Sequence, residues 1–391
     1  MSKKQIELVD AIDEGIRPIV KGISCGSCKD CVEVCPGYRT SHVPFDGSLG
    51  SIEELQKDWG PILEIWEGYA SDPEVRYSGS SGGLASAIAL YCLVNKGWGG
   101  ILHAGVNPRK PWENMTVFSR NRSDIISQTG SRYSPASPCD GLARIESASG
   151  PCMFIGKGCD VAGLRKSQEL RSEVEKNTGV VLGIFCAGTP STRGTIELFE
   201  KLNVEAEKIR EVRYRGRGWP GRFTAHLGEE ESPSCSLTYM ESWGFLQKFR
   251  PFRCYLCSDG TSELADISCG APWYREIKEG DAGFSLALVR TQRGREILHG
   301  AMDSGYVSLE RVGPKILKDS QRNLLEKRKA IWGRLLAMKF FGIPTPQLVG
   351  FYLFQNWLKL PIPEKARSFL GTVRRIIQRK YYQPMKYNST G

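Results

Sequence analysis

Four cysteines near the start of the chain are spaced for metal chemistry. In CGSCKDCVEVCPG (25–37), Cys25, Cys28, Cys31 and Cys35 follow one another at intervals of two, two and three residues, and Pro36 comes next. This is the bacterial ferredoxin run, whose thiolates hold iron–sulfur clusters. In two-cluster ferredoxins the fourth cysteine of such a run serves the other cluster, and a second run completes the set. Only one run is present here, so further thiolates must come from elsewhere in the chain. Cys254 and Cys257, in FRCYLCSDG, are the economical source and would complete a cluster begun at residues 25–35. Cys269, Cys159, Cys186, Cys139 and Cys152 are further candidates, and the count leaves one cluster or two open. Cys92 and Cys235 read as structural.

Composition narrows the chemistry. Thirteen cysteines in 391 residues are many for a chain with no apolar leader, and an odd number argues against a disulfide framework. The first 24 residues lack the apolar core of a signal peptide, so a reducing cytoplasm is expected. Only four histidines occur, none at zinc-finger spacing, which puts zinc behind iron–sulfur and weakens any mechanism built on a histidine base. Of the net charge of +10, the segment from Lys315 onward carries +13, with 16 Lys and Arg against Asp319, Glu326 and Glu364; the first 314 residues are left at −3. A nucleic-acid enzyme would spread its positive charge over the working face, so nucleic acid is not expected as a partner.

Three loops rich in small residues suit an extended, phosphate-bearing cofactor. YSGSSGGLASAIALYC (77–92) runs from Gly and Ser into an apolar helix, so Ser80, Ser81, Gly82 and Gly83 bring backbone N–H groups and hydroxyls to a helix start. TGSRYSPAS (129–137) adds Thr129, Gly130, Ser131, Arg132 and Tyr133. GKGCDVAGLRK (156–166) adds Gly156 and Lys157 after an apolar strand. None is a GxGxxG fingerprint or a Walker loop, so a nicotinamide Rossmann site and a P-loop ATPase are not supported.

The elements that must position these residues predict a mixed α/β (α+β) fold in four segments. Residues 1–70 form a ferredoxin-like iron–sulfur segment with a polar connection. Residues 71–230 alternate helices (84–97, 191–202) with strands (101–106, 152–156, 180–188), as a central α/β layer does. Residues 231–314 hold the second cysteine block and a strand over 281–291. Residues 315–391 form a basic tail with amphipathic helices over about 321–341 and 369–382. Such helices ordinarily dock on the body. An Arg-rich polar face also suits a membrane surface, so peripheral contact with the inner membrane surface, or with an acidic protein, stays open.

From about Cys25 to Leu298 the chain resembles the beta subunits of coenzyme F420 hydrogenase/dehydrogenase, a family that includes 7-hydroxymethyl chlorophyll a reductase. The resemblance is carried by CGSCKDCVEVCP, SSGGLASAIALYCL, GSRYSPASP (the family usually has Lys at Arg132), GKGCDVAGLRK, FCAGTPS and CYLCSDGTSELADISCG. It places family cysteines at Cys159 and Cys186, and family positions at Asp259, Glu263, Ala265 and Asp266. Cys269 stands where the family tends to have an aliphatic residue. What the resemblance implies is an iron–sulfur flavoprotein with FAD in the central domain and one or two 4Fe–4S clusters. Such an enzyme passes electrons from ferredoxin or another redox protein, through the flavin, to F420 or a small organic acceptor. The SSGG and TGSRY loops would then contact FAD, and Tyr133 is the candidate proton donor. Two other readings stay open: a non-catalytic electron-transfer subunit of a larger complex, and a zinc-stapled protein of surface-polysaccharide assembly. The tail lies outside the resemblance.

Overall fold

A computed structural model describes residues 6–21, 28–42, 50–228, 235–278 and 280–383; Cys25 lies outside the described residues. Its centre is an eight-stranded sheet built from β1 (Glu64–Ala70), β2 (Gly100–Asn107), β3 (Lys110–Ser119), β4 (Cys152–Lys157), β5 (Thr178–Ile184), β6 (Ile267–Gly270), β7 (Ser285–Val289) and β8 (Val307–Arg311). In space the order is β8-β1-β7-β6-β5-β4-β2-β3. The four inner strands β2, β4, β5 and β6 run parallel, and the others are antiparallel to their neighbours. Parallel strands covered on both faces need apolar side chains on both, and Met153, Phe154, Val180, Val181 and Leu182 are all fully buried.

Helices cover the two faces. Helix α1 (Leu84–Leu90) packs on one side, and α2 (Gly158–Leu170), which follows β4 directly, packs on the other. A smaller lobe sits beside the sheet: α3 (Thr192–Lys201) lies against the antiparallel strands Glu211–Arg213, Arg222–His226 and Cys235–Thr238. The main sheet draws strands from residues 64–311, so it crosses the segment divisions expected at 70/71 and 230/231.

The basic tail is a set of docked helices: α4 (Arg322–Lys329), α5 (Ile331–Phe340), α6 (Leu353–Leu358) and α7 (Ile362–Arg379). The single helix expected over 321–341 is broken at Ala330, which caps one piece and starts the next. Gly333 on α5 admits Ser368 of α7, a Cβ there falling 2.2 Å from the Ser368 hydroxyl; that hydroxyl also accepts from Trp357 Nε1 at 3.2 Å. Arg328 on α4 is buried in an ion pair with Glu263. Strand Gln347–Val349 pairs in parallel with Arg39–Ser41, just past the N-terminal cysteines. Among the described residues no helix is long and apolar enough to cross a membrane.

Candidate functional site

In sheets with parallel strands, ligands gather outside the carboxyl ends of those strands. Here the ends of β4, β5 and β6 open on a cavity of about 350 Å³. Ile155–Lys157, Ile184–Cys186 and Cys269–Ala271 form its floor. The start of α1 forms another wall. Gly83, with φ +73, has no room for a Cβ, which would fall 2.5 Å from the Val75 carbonyl. The two loops expected to share one ligand are joined: Ser131 N–H donates to Ser80 Oγ, and Ser81 Oγ lies 2.9 Å from Ser285 Oγ. Ser80, Ser81, Gly83, Thr129, Gly130, Ser131, Arg132, Tyr133, Gly156 and Lys157 all line the cavity. Gly82 does not; its N–H is bonded to Ser285 Oγ at 2.8 Å and its backbone packs under the loop.

The remaining wall is aromatic, and sequence reasoning missed it. Tyr239 stacks on Trp273 with centroids 5.0 Å apart at 14°, and Tyr133 lies 4.9 Å from Trp243. The Arg215 guanidinium is 4.8 Å from the Tyr239 ring and 5.0 Å from Trp273, and it donates to the Ser80 carbonyl. The signals were the stretches YMESWGF and PWY, which have no motif spacing. Arg132 turns inward: it donates to Asn114 Oδ1 and Pro111 O and, at 3.3 Å, to Val212 O, so it ties loop to lobe. His103 also lines the cavity, but Ala104 O takes its Nδ1 proton at 2.9 Å and Ser119 Oγ meets Nε2 at 2.8 Å. Burial lowers its proton affinity, so the ring is neutral and fully bonded.

Beside this cavity the chain gathers four thiols from three places: Cys159 at the start of α2, Cys186 after β5, and Cys254 with Cys257 from the second block. They are electrostatic neighbours. Burial pushes the Cys257 thiol up to about 11, with Cys186 and Cys254 adding to the effect. Burial also raises Cys186, reinforced by Cys254, and raises Cys159 well above the ordinary range, with Cys257 and Cys186 contributing. Backbone contacts fix the three loops together. Cys186 N–H donates to Gly260 O at 2.8 Å, and Gly158 presses so closely on Asp259 that a Cβ would fall 2.7 Å from its carbonyl and carboxylate oxygens. Cys159 is exposed. Thiols that oppose one another's ionisation become thiolates together only around a positive centre, and this donor set, all sulfur, fits an iron–sulfur group. Among the described residues no three His, Cys, Asp or Glu side chains are grouped to hold a single metal ion.

The expectation that Cys254 and Cys257 complete a cluster begun at residues 25–35 meets a different neighbourhood, because their thiol neighbours are Cys159 and Cys186. Cys28, Cys31 and Cys35 are exposed around the short helix Asp30–Glu33. Lys166 of α2 anchors this segment by donating to Cys35 O at 3.3 Å and Arg39 O at 2.8 Å. Lys166 lies seven residues along α2 from Cys159, roughly 10 Å at the helical rise. Cys269, buried in β6, borders the cavity, but burial alone accounts for its rise to about 12; it stands apart from the other thiols. Cys139 donates to Asp160 O at 3.2 Å, and Cys92 and Cys152 are core residues. Lys157 joins the two halves of the site: it lines the cavity and donates to Asp160 Oδ2 at 2.6 Å. Burial disfavours its charge, but Asp160 and the thiols of Cys159 and Cys186 outweigh that and hold its proton more tightly than usual.

Fold and site together define a mixed α/β domain with a ligand cavity and a cysteine centre at the carboxyl edge of its parallel strands. The sequence models for the N terminus and the C terminus of the coenzyme F420 hydrogenase/dehydrogenase beta subunit match residues 65–143 and 151–315. These matches span more than half of the chain, and the protein belongs to that family. The coenzyme F420 hydrogenase subunit beta of Methanothermobacter thermautotrophicus is 25% identical over 307 residues, covering 73% of this chain and 99% of the relative. Its counterpart from Methanosarcina barkeri is 24% identical over 273 residues, covering 66% and 87%. The coenzyme F420-dependent sulfite reductase of Methanocaldococcus jannaschii is 23% identical over 343 residues, covering 78% of this chain and 49% of the relative. A chain of the F420-reducing NiFe hydrogenase complex from M. barkeri shares the fold, with a TM-score of 0.58 at 22% identity, over 73% of this chain and 95% of that one.

Proposed function

We propose that this protein is an iron–sulfur flavoprotein oxidoreductase. It takes electrons one at a time from a ferredoxin-type carrier and delivers them through FAD to F420 or another small organic acceptor. The reading assigns an outer 4Fe–4S centre to Cys25, Cys28, Cys31 and Cys35, and an inner one to Cys159, Cys186, Cys254 and Cys257. The observation that carries it is the gathering of four thiols beside a cavity that collects the three small-residue loops, Cys186 belonging to both.

When bound, FAD would supply the step between one-electron and two-electron chemistry. The chain's own residues bind and orient it. The backbone N–H groups of Gly83 and Gly130 would face its anionic groups, and the Tyr239–Trp273 stack offers a planar ring a flat partner. Lys157, held protonated by Asp160, places a fixed positive charge between thiols and cavity. Tyr133 is the hydroxyl available for a proton at the aromatic wall.

Anaerobic purification with iron, sulfide, zinc and flavin assays tests the reading. Iron with sulfide and a yellow chromophore is expected, and Cys257→Ser should remove about half of the iron and leave the rest. Zinc without sulfide would favour the stapled-scaffold reading and end this one. A second reading, an electron-transfer subunit, is favoured by the relatives being named as subunits. It requires that the isolated chain reduce no acceptor until a partner protein is added.

A further inference from the structure

Three guanidiniums meet at one ring beside the inner thiols. The ring of Tyr255, the residue after Cys254, has the Arg375 guanidinium carbon 4.4 Å from its centroid, Arg250 at 5.1 Å and Arg334 at 5.9 Å. Arg250 donates to Ala187 O, the carbonyl next to Cys186, at 2.9 Å. Arg334 on α5 donates to Tyr255 O; burial first, and then Arg375 and Arg250, weaken its hold on a proton, down to about 10. Among the described residues no carboxylate forms an ion pair with any of the three. Like charges gathered in a partly desolvated corner repel strongly, and an anion placed beside such a group relieves that repulsion. Iron–sulfur cubes held by four thiolates are anionic, and the place one would occupy adjoins this corner.

We propose that Arg250, Arg334 and Arg375 form the positive counter-charge of the inner iron–sulfur centre, so that the tail helices set its reduction potential. The inference rests on the assignment of Cys159, Cys186, Cys254 and Cys257 to that centre. Two of the three, Arg334 and Arg375, come from the tail beyond residue 315, outside the family-matched region, which gives the tail a redox role. Positive charge beside a cluster favours the added electron and raises its potential. The outer thiols sit in water beside Asp30 and Glu33, where the tail's charge is screened, so the outer centre is the internal control.

The test is a redox titration of the full-length protein, purified anaerobically and followed by electron paramagnetic resonance. Arg334→Gln and Arg375→Gln should each move one of two cluster signals to a more negative midpoint. The shift expected is about a tenfold fall in the reduced-to-oxidised ratio at fixed potential, with the other signal unmoved. Arg334→Lys and Arg375→Lys should restore most of it. Gln variants with wild-type iron and sulfide but unmoved midpoints would overturn the inference. Should Arg334→Gln fail to fold, Arg375→Gln decides alone, since Arg375 is only half-buried. Iron content is measured first: if Cys257→Ser loses no iron, the cysteine assignment fails and this inference with it, whereas intact iron with unmoved midpoints sinks this inference alone.

Discussion

Substituting Gly158→Ala sets two effects against each other at the joint between the inner cysteine loops. Gly158 opens α2 with ordinary helical backbone, so alanine gains helix propensity, at most about 1 kcal/mol and less at a first-turn position. Against that, the new Cβ falls 2.7 Å from both the carbonyl and a carboxylate oxygen of Asp259. Ordinary contact requires about 0.7 Å more, and overpacking of this kind costs about 1–3 kcal/mol. Asp259 has little freedom to retreat: its carboxylate accepts from Glu263 N at 2.9 Å and Thr261 N at 3.2 Å, and Gly260 O is bonded to Cys186 N. Repulsion therefore wins by about 1–2 kcal/mol, and relief comes by parting the Cys159 loop from the Cys257 loop. Urea unfolding of the anaerobic protein should show a lower midpoint at unchanged slope, with inner-site iron partly lost. A variant as stable as the parent, with full iron, would refute the claim that this close approach holds the thiols together.

Other substitutions probe the frame and the cavity. Arg290, fully buried, donates to Ser268 Oγ, Trp59 O, Pro61 O and both oxygens of Thr261 at 2.7–3.2 Å. Arg290→Met leaves several acceptors unsatisfied and should cost about 4 kcal/mol, read by chemical denaturation; a change under about 1 kcal/mol would contradict it. Burial opposes the charge of Glu64, but bonds from Trp66, His299 and Arg295 prevail and hold its carboxyl below the ordinary value. A lowered carboxylate stabilises the fold above its unfolded pKa and loses that contribution as pH falls through the folded one. The gap in unfolding midpoint between wild type and Glu64→Gln, open at pH 7, should therefore begin to narrow as pH falls past the ordinary glutamate value, about 4.3, and go on narrowing as the folded carboxyl protonates; a gap that stays constant through that range rules the account out. Trp273→Ala removes the stack on Tyr239 and a face for Arg215 and should weaken flavin binding about tenfold, measured by fluorescence titration, while far-UV circular dichroism stays unchanged.

Much of the inner sheet was legible because buried parallel strands announce themselves as apolar runs. CMFIG and VVLGIFCAG led to β4 and β5, with β5 ending at Ile184 where the cysteine loop begins. Strand β1 was hidden: EIWEGYA places Glu64 and Glu67 at buried positions, which an apolar-pattern reading rejects. Distant partners make it a strand, with Arg295 and His299 meeting Glu64 and Tyr274 and Arg275 meeting Glu67. The loops lining the cavity were readable from their small residues. The grouping of Cys254 and Cys257 with Cys159 and Cys186 was not, because spacing within a block says nothing of which distant block it faces. The aromatic wall was invisible for the same reason, Tyr239 and Trp273 meeting only after the lobe folds against the sheet.

The parallel pairing of Gln347–Val349 with Arg39–Ser41 has a consequence for synthesis. The segment that carries Cys28, Cys31 and Cys35 emerges early from the ribosome, yet the strand that closes over it is translated some three hundred residues later. Until then the segment has only its contacts with α2, where Lys166 holds Cys35 O and Arg39 O, and lacks its strand partner. The native setting of that segment is therefore completed late, and chains cut short before residue 347 leave Arg39–Ser41 without its parallel strand.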